Sequence, residues 1–276
     1  MRLRLGISTC PNDTFAFHAI LERRIDLRGL EFDVELRDVQ QLNDGLFAGA
    51  YDLSKASLHA ALLLAGEYGI LRAGAALGFG VGPLLVSARP GTRLRPDSRV
   101  LCPGPTTTAT LLYRCLHPDP GRIEHCPFSE ITPRLRAGRA DLGVLIHEGR
   151  FTYARDGLTL VEDLGESFQR LAQAPVPLGG IVARLALPDG VAGRFTAVLQ
   201  DSIGYGWAHR SEALATIARH AQELDEEVIW PYVSLYVNDH TVDFGEDGVR
   251  AIAALQETAE RGGVLAPGLP SLRVLG

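Results

Sequence analysis

Apolar positions along the 276-residue chain fall into short runs that alternate with stretches of helical period. The runs at 3–9, 31–36, 81–88, 98–102, 122–126 and 142–147 read as strands. Amphipathic stretches at 14–24, 39–49, 57–66, 106–116 and 129–139 read as helices. Alternation of this kind predicts an α/β architecture with largely parallel sheets. From residue 189 onward the pattern turns mostly helical, over 190–208, 210–223, 225–237 and 245–262. No low-complexity segment or long linker interrupts it.

A faint internal duplication lies beneath the alternation. The segment 46–53, LFAGAYDL, recurs as 135–142, LRAGRADL: a helix end, a glycine C-cap, then Asp-Leu opening the next strand. Upstream, Cys10-Pro11 followed by Asn12 and Thr14 is echoed by Cys102-Pro103 followed by Thr106, Thr107 and Thr108. The two matches run in the same order at similar offsets. They predict two similar α/β lobes with a ligand cleft between them, beyond the carboxyl ends of the strands. The turns at 10–14 and 102–108 then become helix N-termini on opposite walls, aimed at an anionic ligand. The expected lobes are discontinuous, 1–87 with 179–276 and 88–178, and the apolar run 178–183 is the returning crossover. Two crossovers would act as a hinge.

Composition narrows the partners. With 46% hydrophobic and 22% charged residues the chain reads as globular, and a net charge of −6 argues against nucleic acid. Arg89, Arg93, Arg95 and Arg99 form the one basic cluster, and among Pro and Gly they read as a solvated loop. Cys10, Cys102, Cys115 and Cys126 contain no C-x-x-C pair, which fits a reducing compartment and offers no zinc pattern. Arg4 interrupts the first apolar run, so no signal peptide is expected, and no run reaches the roughly 18 apolar residues of a membrane span. The chain is read as cytoplasmic, without a membrane partner. Its oligomeric state stays open, since no heptad seam stands out after residue 189.

Candidate chemistry concentrates at the expected cleft. His147 follows Leu142–Ile146, a buried-looking strand, and imidazole suits proton transfer near neutrality. The other histidines fall in helical patterns or beside proline, and HEGRF lacks the second histidine of a metalloprotease motif. Lys55 and Ser57 are two apart, so on a strand they share a face and could clasp a carboxylate. Thr106, Thr107 and Thr108 suit a first helical turn, where hydroxyls cap or bind an anion. Asn12 and Thr14 occupy the corresponding turn of the first lobe.

The segments CPNDTF (10–15), SKAS (54–57), ALGFGVGPL (76–84), PGPTTTA (103–109), IHEGRFTY (146–153), PLGGI (177–181) and EEVIW (226–230) together resemble the 1,4-dihydroxy-6-naphthoate synthases. These are lyases of the futalosine route to menaquinone, with a type II periplasmic-binding-protein-like fold. The resemblance covers nearly the whole chain; the last segment departs by one acidic exchange. It implies cyclic dehypoxanthinyl futalosine as substrate, His147 as proton acceptor, and substrate binding by Lys55, Ala56, Ser57, Thr107 and Thr108. Thr106 falls where the family varies. No metal or organic cofactor is implied, and a proton-accepting histidine implies activity that fails in acid. Two alternatives stand beside it: a chorismate dehydratase of the same pathway and fold, and a non-catalytic solute-binding protein.

Overall fold

The computed structural model describes residues 1–220 and 226–276. In the first strand Leu3, Leu5 and Ile7 alternate with Arg2, Arg4 and Gly6; the apolar set is buried and the arginines face solvent. This strand, β1 (Arg2–Ser8), shares a sheet with β2 (Glu31–Arg37), β3 (Leu53–Ser57), β4 (Tyr68–Leu71) and β5 (Ala76–Gly78). A second sheet holds β6 (Leu84–Ser87), β7 (Arg99–Cys102), β8 (Arg122–His125), β9 (Leu142–Leu145) and β10 (Thr159–Asp163). The chain then returns to the first sheet with β11 (Val176–Arg184) and β12 (Val274–Leu275).

Helices α1 (Pro11–Ala16), α2 (His18–Leu21), α3 (Val39–Phe47) and α4 (Leu58–Leu63) connect the first strands. In the second sheet the connections are α5 (Thr108–Leu116), α6 (Phe128–Arg136), α7 (Gly149–Thr152) and α8 (Leu164–Ala172). The last part of the chain holds α9 (Val191–Ala208), α10 (Arg210–His220), α11 (Glu226–Tyr236), α12 (Asp239–Val242) and α13 (Gly245–Arg261). None of the described helices is long and apolar enough to cross a membrane.

The two sheets repeat one topology. In the first, the order β2-β1-β3-β11 has three parallel strands and then an antiparallel one; in the second, β8-β7-β9-β6 does the same. The matched aspartates do the same work in each copy. Asp52 accepts from the Arg4 backbone N–H at 2.9 Å, and Asp141 accepts from that of Arg99 at 2.9 Å. Gly49 (φ 66°) and Gly138 (φ 67°) supply the left-handed turn after α3 and α6, where a Cβ is penalised.

Several expectations change. The sheets are mixed rather than largely parallel, because β6, β10 and β11, which carry the chain into or out of a sheet, run antiparallel to their neighbours. Strand β6, assigned from sequence to the lobe ending at residue 87, pairs with β9 and β10 in the second sheet. The first crossing therefore lies between β5 and β6, and the return precedes β11. The helix expected over 14–24 begins at Pro11 and breaks at Phe17 (φ −95°, ψ 0°) into α1 and α2. The expected helices 210–223 and 225–237 are seen as α10 and α11; their residues 221–223 and 225 lie outside the described residues. Strands β4, β5 and β10 and helix α8 were not anticipated, the strands being only 3–5 residues long.

Side chains from alternate strand positions fill both faces of the second sheet. Leu101 and Leu145 meet Ile131 and Leu135 of α6, while Val100, Leu142 and Val144 meet Ala109 and Tyr113 of α5. Between the lobes α4 lies against α5, and the buried His59 is trapped there, its backbone N–H donating to Thr108 Oγ1 at 3.3 Å. Desolvation pushes the His59 imidazole down to about 4, only partly opposed by a hydrogen bond to the Thr107 backbone. At the first crossing Gly82 abuts Gly165, so closely that a Cβ on Gly82 would sit 2.2 Å from the Gly165 Cα.

Two stability outcomes follow from this packing. Gly82→Ala should destabilise by about 1–3 kcal/mol, since backbone must move, whereas Gly193→Ala in α9, where the added Cβ meets nothing, should stabilise by about 0.4–1 kcal/mol. Thermal melts of the pair check both signs. A histidine held neutral in the fold binds its proton only after unfolding between its ordinary pKa of ~6.5 and 4. Stability should thus decline as pH falls through that window, and His59→Gln should flatten the decline in denaturant titrations at stepped pH.

Candidate functional site

The carboxyl ends of β1, β3 and β9 open onto one cavity. The two proline turns reach it from opposite sheets: Cys10, Asn12 and Asp13 from α1, Thr107, Thr108 and Ala109 from α5. Lys55, Ala56 and Ser57 enter from β3, His147 from beyond β9, and Tyr232 and Tyr236 from α11. The structure thus brings Asn12, Lys55, Ala56, Ser57, Thr107, Thr108 and His147 together around one cavity. Thr14 is the exception. One turn into α1, its hydroxyl donates back to the Cys10 and Pro11 carbonyls at 3.0 and 3.3 Å, and the residue is fully buried away from the cavity.

Lys55 and Ser57 face the cavity from alternate positions of β3, but the lysine already has an anion. Its Nζ donates to Asp13 Oδ1 at 2.7 Å, with both side chains under 8% exposed. Asp13 also accepts from Ser8 Oγ at 2.5 Å and Asn12 Nδ2 at 3.0 Å. Lys55 thus meets the cavity as half of an ion pair that is internally neutral. Ser57 is differently placed. Asn43, fully buried in α3, donates Nδ2 to Ser57 Oγ at 3.1 Å and accepts the Ser57 N–H at 3.0 Å. The serine hydroxyl accepts there and keeps its own proton for a ligand.

The threonines play two roles. Thr107 caps α5: its Oγ1 accepts the Thr110 N–H at 3.3 Å and donates towards the Gly104 carbonyl at 3.0 Å. Thr108 ties the lobes together, donating to the Leu178 carbonyl at 2.5 Å while accepting the His59 N–H. Nearby, Gln40 exchanges hydrogen bonds with Thr106 at 2.9 and 3.2 Å, and only glycine fits at 104, where a Cβ would meet Gln40 Oε1 at 2.3 Å. What α5 offers a ligand is then its first N–H groups, orphaned by helix geometry, together with the positive end of the dipole.

His147 stands opposite. Its backbone is left-handed (φ 55°), a region uncommon outside glycine but one that histidine visits more readily than most residues. Phe128 presents an edge-on ring 4.7 Å away, Cys10 Sγ lies 3.2 Å from Nδ1, and the Tyr232 hydroxyl lies 3.4 Å from the same nitrogen. Burial and the Asp13 charge push the Cys10 thiol well up, so it is no nucleophile at neutral pH. Arg150, from the same HEGRF segment, is structural: it donates to the Gly82 carbonyl at 2.8 Å and to Asp163 at 2.6 Å, pinning the first crossing.

Sequence reasoning missed Ser8, Asp13 as lysine partner, Asn43, Tyr232 and Tyr236. Asp13 was visible as the acidic residue of the proline turn. Tyr232 and Tyr236 repeat at helical spacing like any core stripe, with nothing to show that they reach residues far earlier in the chain. Among the described residues no His, Cys, Asp and Glu group could hold a metal ion.

A family model for menaquinone biosynthesis matches residues 3–261. The chain is 41% identical over 265 residues to a 1,4-dihydroxy-6-naphthoate synthase of Thermus thermophilus, covering 96% of each chain. It is 36% identical to one of Streptomyces coelicolor, covering 95% of this chain and 94% of that one. A crystal structure of a protein from Archaeoglobus fulgidus superposes with a TM-score of 0.90 at 32% identity, covering 96% of this chain and 98% of that one. The alkanesulfonate-binding protein of Xanthomonas axonopodis pv. citri, bound to MOPS, superposes at 0.73 with 16% identity, covering 99% of this chain and 98% of that one, which shows the shared periplasmic-binding-protein-like fold. A family match spanning nearly the whole chain and relatives above one-third identity lead to one conclusion: the chain belongs to the menaquinone biosynthesis family.

Proposed function

We propose that the protein is a 1,4-dihydroxy-6-naphthoate synthase, a lyase that fragments cyclic dehypoxanthinyl futalosine, with His147 as proton acceptor. The observation that carries this reading is the single imidazole lining the cleft opposite a wall of uncharged donors. Fragmentation of a cyclised sugar adduct into a naphthoate gains aromaticity, so the enzyme has chiefly to hold the substrate, exclude water and move protons.

The carboxylate of the substrate needs donors that its arrival does not unbalance. Ser57 Oγ–H and the first N–H groups of α5 supply them, while Lys55, held by Asp13, contributes at most a remaining N–H. With the carboxylate anchored on that wall, the sugar-derived ring lies towards His147. A proton taken there leaves its electron pair to the carbon skeleton; a carbon–carbon bond to the sugar-derived fragment breaks, the fragment leaves with that bond's pair and takes up a proton, and the second ring becomes aromatic. Thr108 to Leu178 and Gln40 to Thr106 are lobe-to-lobe bonds that favour a closed, dry cleft during this step. We take the two sheets as lobes hinged at the crossings flanking β6 and β11. Four free cysteines fit a reducing compartment and therefore a cytoplasmic enzyme.

Incubation with cyclic dehypoxanthinyl futalosine, followed by mass spectrometry, should yield 1,4-dihydroxy-6-naphthoate; binding without turnover would contradict the reading and favour a solute-binding role. Asparagine tolerates left-handed backbone, so His147→Asn removes the base without unseating the turn. Its turnover should fall about 10²- to 10⁴-fold with affinity nearly unchanged. Ser57→Ala should instead weaken substrate binding about 10- to 100-fold, the loss of a hydrogen bond to a charged group, measured by calorimetry. Thr107→Ala, which loses a cap, should lower stability by about 0.5–2 kcal/mol.

A further inference from the structure

The hydrogen bonds between the buried ion pair and the catalytic imidazole form one chain, and its direction can be read link by link. At the root, Lys55 donates to Asp13, whose carboxylate can only accept. The Asn12 side-chain atom 3.0 Å from Asp13 must therefore be the amide NH₂, which settles which way that amide is turned. Its carbonyl oxygen then faces the Tyr232 hydroxyl at 3.0 Å and can only accept from it. A phenol has one proton, and here it goes to Asn12.

The same hydroxyl oxygen lies 3.4 Å from His147 Nδ1. With its proton committed, it faces that nitrogen as an acceptor, so the hydrogen of this contact must come from the ring. We propose that Tyr232 is a positioning residue that holds His147 in the Nδ1–H tautomer and thereby makes Nε2 the basic nitrogen. Cys10 Sγ lies 3.2 Å from Nδ1 and 3.6 Å from Nε2, beside both ring nitrogens, so the choice between them rests with the tyrosine oxygen. Burial raises both Tyr232 and Cys10 well above their ordinary ranges, so each keeps its proton at neutral pH and neither becomes a charged acceptor that would draw a second proton onto the ring.

The contact also couples the base to the lobes. His147 follows β9 of the second sheet, whereas Asn12, Asp13, Lys55 and Tyr232 belong to α1, β3 and α11 on the first-sheet side. Closure then delivers the Tyr232 oxygen to the ring, and the tautomer is set when the cleft is formed. This rests on the reading of His147 as the base.

Nitrogen-15 NMR on protein labelled at histidine tells a protonated ring nitrogen from an unprotonated one, and His147→Asn identifies the signal among the eight histidines. Recorded where the ring is neutral, His147 of the wild-type protein should show a protonated Nδ1 and an unprotonated Nε2. Tyr232→Phe keeps the ring packed against Phe151 and Tyr236 while deleting the hydroxyl. It should release the ring into a mixture of tautomers and lower kcat by about 10- to 10⁴-fold, with KM near wild type. Asn12→Leu removes the acceptor of the tyrosine proton; the freed hydroxyl can then donate to Nδ1 and shift the ring towards Nε2–H. A protonated Nε2 in the wild-type protein, or an unchanged tautomer in both variants, would overturn the proposal. Undiminished turnover in His147→Asn with the expected spectra would contradict the base assignment alone and support the hold of Tyr232 on the ring.

Discussion

The buried ion pair between Lys55 and Asp13 organises the cleft. A lysine and an aspartate removed from water lose several kcal/mol of hydration each, so neither is tolerable without the other and without further hydrogen bonds. Here Ser8 and Asn12 complete the carboxylate's shell, and β3 is thereby bolted to the first turn of α1. Because the pair is internally neutral, the cavity presents a carboxylate ligand with dipoles and hydroxyls rather than a bare cation. The same pair gives the neighbouring amide and phenol a fixed polarity. Its influence therefore extends from the strand that lines the cavity to the imidazole across it.

The rest of the site follows from duplication. Each sheet places a strand, a proline turn and a helix start at the same end, so facing sheets set two helix N-termini towards one space. The copies then diverge in use. In the first, the turn carries Asp13 and so cannot welcome another anion; in the second, the turn carries threonines and leaves its N–H groups for a ligand. The same arrangement serves as an internal salt bridge on one wall and as an anion-receptive helix end on the other.

Much of this was legible in the residues. The LFAGAYDL and LRAGRADL segments betray the duplicated strand entry because Asp52 and Asp141 each close the same backbone hydrogen bond. Residue order along β3 placed Lys55 and Ser57 on one face, and the run Leu142–Ile146 placed His147 at the cleft. What was hidden depends on contacts distant in sequence. Nothing local reveals that Lys55 is neutralised 42 residues back, that Asn43 holds Ser57, or that Tyr232 meets a turn 220 residues earlier. Thr14 was misplaced because a hydroxyl one turn into a helix can bond its own backbone. The boundary at residue 87 failed because an apolar run shows burial but not which sheet provides it.

The central claim is that uncharged donors of one wall hold the carboxylate while residue 147 faces the sugar-derived ring. A crystal structure of the His147→Asn variant with cyclic dehypoxanthinyl futalosine tests it most directly. The account predicts the carboxylate at Ser57 and the first turn of α5, the sugar-derived ring against residue 147, and the Lys55–Asp13 pair intact. A carboxylate seated on Lys55 with Asp13 displaced, or a ring turned away from residue 147, would contradict it.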